Sequence, residues 1–335
     1  MTWRPPALPI ALLVACALAG CSSAGPGPRP RAQHRPTSTT SPVQVRSPRR
    51  APRLRVDRLS VRLPEPLARE AVSVGDDPGR VLVAGGLVAG DASSASTYTL
   101  DLNSGHVTHP TPLLTAVHDT AGARVKGSRL VIGGGNAAEQ SAVQRHGRNG
   151  WHSGGYLPTA RSDLSAVSTG GRVYVLGGYD GRSPALADVL VSRTGRRWRT
   201  VCRLPVPVRY AATVLADGSI WVLGGERAGV PVAAVQRVDL AAHRARVVAH
   251  LAQPVGHAVA VGLGGRILLV GGRTGGEQVT ARMWWYRPGA AEPRPAGRLP
   301  HPLADAAAVG DGTTAYVVGG ETPALSDAVL RLRWR

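Results

Sequence analysis

Ten polar side chains set between short apolar runs hold the chemistry this sequence could offer: Arg161, Asp163, Asp180, Arg209, Tyr210, Glu226, Arg227, His257, Arg273 and Asp305. They share their segments with Arg69, Glu70, His118, Asp119, Asn136, Arg182, Glu277 and Glu321. Guanidinium, carboxylate, imidazole and phenol groups brought to one place would form mixed donors and acceptors, a set suited to a polyhydroxylated or anionic ligand. Hydrolytic and zinc chemistry have no foothold: there is no GxSxG elbow, no HExxH and no CxxC pair. The ten are therefore read as ligand-binding positions, with no catalytic residue, no metal and no cofactor expected, and the chain as more a binder than an enzyme.

Whether those residues converge depends on the elements between them, which a repeat reveals. Aligned on a glycine pair, the chain reads GRVLVAGG (79–86), GSRLVIGG (127–134), GRVYVLGG (171–178), GSIWVLGG (218–225), GRILLVGG (265–272) and TTAYVVGG (313–320). The pairs begin at Gly85, Gly133, Gly177, Gly224, Gly271 and Gly319, in steps of 48, 44, 47, 47 and 48 residues. A phosphate cradle would need a following lysine with Ser/Thr, or a strand–helix junction, and neither is present. Glycine at the end of an apolar strand instead permits a bend or a close approach to a neighbouring chain.

Upstream of each pair lies a proline-marked segment, LPEP (63–66), TPLL (111–114), LPTA (157–160), LPVP (204–207), LAQP (251–254) and LPHP (299–302). A short apolar run and a turn lead from it to the glycine-terminated strand, and two further alternating runs follow. Four short strands per period of forty to fifty residues make one blade of a propeller. Helical periodicity is absent, so the expected class is all-β with six blades. The sixth pair is followed by one strand only, Ala328–Trp334, and the orphan strand Leu54–Val61 is expected to complete that blade and close the ring. In a four-stranded antiparallel blade the loop before the first strand and the loop after the second open on one side, which would gather the polar residues around the axis.

These repeats resemble the Kelch motif, whose marks are a glycine pair closing the second strand and an aromatic later in the blade. Tyr98 and Tyr286 fill the tyrosine position in two blades, and Trp151 and Trp198, each seven residues before Pro158 and Pro205, the tryptophan in two others. Some Kelch propellers are copper radical oxidases that use a cysteine cross-linked to tyrosine; Cys202 has no evident tyrosine partner. Exported six-bladed Kelch propellers include sialic-acid mutarotases. That resemblance implies an alternative function as a sugar mutarotase or epimerase, with Arg209 or Arg161 holding a carboxylate and Glu226 in acid/base work. The resemblance otherwise implies a module that binds a glycan or an envelope protein through its loop face.

The N-terminus resembles a bacterial lipoprotein signal. Arg4 precedes the apolar run 7–19, and Leu18-Ala19-Gly20-Cys21 has the small residues and cysteine of a lipobox. Residues 1–20 are thus expected to be a signal peptide, with Cys21 lipidated and the chain tethered at the extracytoplasmic face of the cell membrane. Residues 21–53, rich in proline, arginine, serine and threonine, are expected to be a disordered linker, and 54–335 the propeller. The net charge of +19 comes almost wholly from arginine, with Lys126 the single lysine and no phenylalanine present. That bias resembles an actinobacterial composition, and no basic helix or aromatic-interleaved patch points to nucleic acid. With Cys16 lost and Cys21 lipidated, Cys202 is a lone thiol, so no disulfide is expected. A monomer is expected.

Overall fold

A computed structural model describes residues 53–74 and 79–334; the expected signal peptide, Cys21 and all of the linker but Arg53 lie outside the described residues. Six antiparallel sheets form the blades of a β-propeller, each four strands deep, the sixth with the added short strand Glu321–Thr322. The third blade, for example, runs Ser165–Thr169, Arg172–Leu176, Asp188–Ser192 and Arg199–Arg203 from the inside outwards. Among the described residues the one helical turn is the 3-10 segment Gly275–Glu277.

The sixth blade closes as the sequence suggests. Its inner strands Ala307–Gly310, Thr314–Val318 and Ala324–Trp334 come from the C-terminal end, and its outer strand Leu54–Leu67 from the N-terminal end. Leu54 pairs with Trp334 and Arg58 with Leu330. This seals the outer edge that an open array would present. The outer strand is longer than the segment 54–61 and carries register breaks after Arg58 and Arg62.

Apolar residues gather in six clusters, one per seam between neighbouring blades. Val173, Val175 and Leu190 of the third blade meet Leu130, Ile132 and Val143 of the second. Ile220, Val222 and Val238 of the fourth meet Leu176, Val189 and Val191 of the third. Each such side chain contributes about 1.5–3 kcal/mol when fully buried. The seam between the last blade and the first joins Val61, Leu63 and Leu67 to Val81, Val83 and Leu100. Tyr98 and Tyr286 lie in third strands, Trp151 is the second residue of a fourth strand, and Trp198 immediately precedes one.

The glycine pairs fasten these seams at one end. In every blade the second glycine donates its N–H to a carbonyl of the next blade's lead-in loop, as Gly134 does to Arg161 (2.9 Å) and Gly320 to Leu67 (2.9 Å). All twelve glycines have positive φ. A Cβ on Gly133 would lie 2.6 Å from the Arg161 carbonyl oxygen, and one on Gly134 2.7 Å from that of His118 in its own blade. The pair thus meets the adjoining blade with one residue and its own inner loop with the other, and neither contact has room for a side chain.

Candidate functional site

The first residue of the site is fixed by the turn that feeds each inner strand. Arg69, Asp119, Asp163, Tyr210, His257 and Asp305 occupy the same position in the six blades. All six have φ between 50° and 61°, a left-handed conformation that costs a non-glycine residue on the order of 1–2 kcal/mol. The strain is offset by a belt of backbone hydrogen bonds around the axis. Asp163 donates its N–H to Asp119 (2.9 Å), Tyr210 to Asp163 (3.0 Å), His257 to Tyr210 (3.0 Å), Asp305 to His257 (3.0 Å) and Arg69 to Asp305 (2.8 Å).

These six side chains ring the mouth of a central cavity of about 200 Å³, whose shaft is lined by small residues such as Gly122, Ala166, Ala212, Ala260 and Ala308. A second tier comes from the bridges that join each lead-in loop to the residue after the glycine pair, which pair Arg209 with Glu226, Gly256 with Arg273 and Ala304 with Glu321. Arg209 Nε lies 2.7 Å from Glu226 Oε1, and its Nη1 lies 3.3 Å from Asp163. Arg273 contacts Asp305 at 3.2 Å and bonds Glu321. Arg69 faces Asp119 at 3.4 Å, Glu321 at 3.4 Å and Asp305 at 3.7 Å. The Tyr210 ring stacks on His257 at 3.8 Å, and Arg209 lies over the rings of Tyr179 and Tyr210 at 5.0 and 5.3 Å.

His257 is clamped between carboxylates, Nδ1 2.6 Å from Asp305 and Nε2 3.2 Å from Glu226. Burial alone would lower its pKa; the hydrogen bonds to the two carboxylates win and raise it to about 9. Burial likewise opposes ionisation of Asp305, and the bond to His257 with the nearby Arg69 overrides it, bringing Asp305 to about 2. Asp119 goes the other way: burial first, then the neighbouring Asp163 charge, push it up to about 7. Glu70, behind the ring at 4% exposure, has no side-chain partner for either oxygen, and burial holds it well above the usual carboxylate range. The corresponding places in the other blades hold Thr120, Leu164, Ala211, Ala258 and Ala306, each packed beneath a second glycine.

Of the ten residues singled out from sequence, Asp163, Tyr210, His257 and Asp305 stand in the ring and Arg209, Glu226 and Arg273 in the tier touching it. Arg161, expected on the loop face, is instead 1% exposed. Its guanidinium donates to the Gly177 carbonyl (3.1 Å) and lies 3.8 Å from Asp188, so it braces the third blade from inside. Asp180 is turned onto its own loop, accepting from the N–H groups of Arg182 (3.0 Å) and Ser183 (2.6 Å). Arg227 is exposed in a two-residue strand paired with Val230–Pro231. Arg69, Asp119 and Glu321 belong with the seven and are absent from the ten. A positional signal existed for two of them: the ring residue lies fourteen positions before the first glycine of the pair in five repeats, and sixteen in the first. Among the described residues no three His, Cys, Asp or Glu side chains are arranged to hold a metal ion. Cys202 is a free, half-buried thiol in an outer strand, raised in pKa by burial.

Residues 160–191 match the Kelch motif. The solved structure of YjhT is similar to this chain with a TM-score of 0.72 and 16% identity, covering 83% of this chain and 99% of that one. At that identity the likeness is one of fold. No curated protein matches the sequence. The chain is a six-bladed β-propeller carrying a Kelch motif, an architecture in common use as an interaction module.

Proposed function

We propose that this propeller is an envelope-tethered binding module, anchored through Cys21, that receives a neutral polyhydroxylated ligand, a glycan terminus, in the mouth of its central cavity. The observation that carries this reading is charge compensation. Arg69, Arg209, Arg273 and His257 each already face at least two carboxylates, so no guanidinium is held in reserve for an anion. The arginines nonetheless expose 18–23% of their side chains, which leaves N–H donors open to hydroxyl groups. The cavity of about 200 Å³ is roomy enough to hold water, which a ligand terminus would replace.

The mutarotase alternative is not favoured by this arrangement. Its carboxylate-holding arginine would be Arg161, which lies in the blade interior, or Arg209, which is bound to Glu226, the proposed acid/base partner.

The test is saturation-transfer NMR with the full chain against neutral hexoses, N-acetylhexosamines and carboxylated sugars. Saturation of neutral sugars, lost in Asp163→Ala, is expected. Transfer confined to carboxylated sugars, or exchange between anomers, would overturn the reading. Silence from every sugar, with a protein recovered from envelope extract by the parent chain and not by Asp163→Ala, would replace the glycan with a protein ligand.

A further inference from the structure

The end of the propeller opposite the ring carries charge of a different kind. In the third blade the turn between Asp188–Ser192 and Arg199–Arg203 contributes Arg193, Arg196 and Arg197 around Trp198, flanked by Arg199 and, from the second strand, Arg172. Four of these arginines, with Trp198, line an open cavity of about 480 Å³ to which no carboxylate contributes. None of the five makes an ion pair among the described residues, and Arg193, Arg196, Arg197 and Arg199 are exposed. The cradle is held in shape by hydrogen bonds that involve no acid: Trp198 Nε1 donates to the Gly195 carbonyl (2.9 Å), Ser192 Oγ accepts from the Gly195 N–H (2.8 Å), and the Arg145 guanidinium of the second blade donates to the Thr194 carbonyl (2.7 Å). A preformed loop bearing unpaired guanidiniums is suited to phosphate oxygens, which they grip two at a time.

The chain's own path says which phosphates. The outer strand of the sixth blade starts at Leu54, opposite Trp334, and rises towards the ring end at Leu67. The segment that carries Cys21 therefore joins the propeller at the same end as the arginine cradle. That end also holds Trp334, half-buried beneath Arg266 at 5.2 Å, and Trp198; amphipathic indoles of this kind favour the membrane–water boundary.

We infer that the turn end of the propeller, centred on the arginine cradle around Trp198, docks on the anionic headgroups of the lipid bilayer, which directs the ring outwards. The choice of a bilayer over another polyanion rests on the reading of Cys21 as the membrane tether.

The experiment uses the full chain with Cys21→Ser, so that no acyl chain contributes, and sedimentation with vesicles of phosphatidylcholine alone or with about one-third phosphatidylglycerol. Binding to the anionic vesicles only, lost at high salt, is expected. The variant R193Q/R196Q/R197Q/R199Q should bind them at least tenfold more weakly, since each arginine near the surface contributes a several-fold factor. The loop-end control R182Q/R227Q should bind as the parent does. Equal binding by the quadruple variant, with its thermal unfolding unchanged, would overturn the inference and assign the attraction to the arginines of residues 21–53. Loss of binding to an acidic polysaccharide such as polygalacturonate, with vesicle binding intact, would also overturn it. Mass spectrometry of the native protein tests the tether separately: an unmodified Cys21 would remove the anchor and overturn the choice of a bilayer as the occupant, whereas the vesicle result alone decides whether the arginine cradle binds anionic headgroups.

Discussion

The two ends of this propeller spend their charge in opposite ways. At the loop end, six lead-in turns converge on the axis, and the charged groups they bring are buried and mutually paired, with Arg69, Arg209, Arg273 and His257 set among Asp119, Asp163, Glu226, Asp305 and Glu321. At the turn end of the third blade, arginines stand in solvent with no acid among them. Convergence explains the difference. Charges forced together away from water are costly unless compensated, whereas charges on diverging outer turns keep their hydration. Backbone shows a similar contrast in the third blade: a Cβ on Gly177 or Gly178 would meet a carbonyl oxygen at 2.2 or 2.6 Å, whereas one on Gly170 or Gly171 at the turn end would meet nothing.

The largest way to sharpen that contrast is in the glycines. Gly133→Ala would set its Cβ 2.6 Å from the Arg161 carbonyl oxygen at a left-handed φ, and should cost at least about 4 kcal/mol or prevent folding. Gly170→Ala, also left-handed but in open space, should cost about 1–2 kcal/mol. Urea unfolding of the pair measures both; similar losses would mean that conformation alone, and not the blade contact, demands the glycine pair.

Next in size is the ring. His257→Ala leaves Asp305 and Glu226 buried without their shared cation and should cost about 3–5 kcal/mol. His257 also sets a pH dependence. Its folded pKa of about 9 exceeds the ordinary 6.5, so its contribution is complete below pH 6.5 and is lost as pH rises through 9. Asp119 acts in the same sense lower down: raised to about 7, it makes stability fall as pH rises from about 4 to 7. Asp305, held near 2, loses its contribution only as pH falls through that value. Denaturation between pH 5 and 9.5 should therefore show declining stability, with the upper part of the decline absent in His257→Gln and the lower part reduced in Asp119→Asn, the raised carboxyls of Glu70, Asp163 and Glu321 keeping the remainder.

The smallest effect belongs to the turn end. Replacing Arg193, Arg196, Arg197 and Arg199 by glutamine should change stability by no more than about 0.5 kcal/mol per site, because no partner is left unpaired. A large drop in melting temperature would show that the cradle serves packing.

Much of the architecture is local and was therefore legible. Six apolar runs ending in glycine pairs specify strands and their spacing, and the orphan segment beginning at Leu54 foretold the closure because one strand was missing after Gly319-Gly320. The site was only partly legible. Asp163, Tyr210, His257 and Asp305 stand out in the sequence as loop residues able to bind, while Arg69 and Asp119 at the equivalent position are marked only by their distance from the glycine pairs. Arg161 and Asp180 look from sequence like any other loop charges; Arg161 turns into the blade because the Gly177 carbonyl offers it a buried acceptor, and Asp180 bends back to bond Arg182 and Ser183. The small hairpins after the glycine pairs, such as Glu226–Arg227 with Val230–Pro231, were likewise hidden in segments of irregular composition.

The sequence by itself determined the repeat, the strand order within each blade and the place where the ring would be sealed, since these follow from periodicity and from backbone conformations that glycine permits. Only the tertiary structure decided which charges would share the axis and which would stay apart. Contacts such as Arg69 with Glu321, or His257 with Glu226 and Asp305, join residues from different blades, and closure of the ring brings them within 4 Å. Their pairing and their shifted protonation are products of that closeness and of the water it excludes.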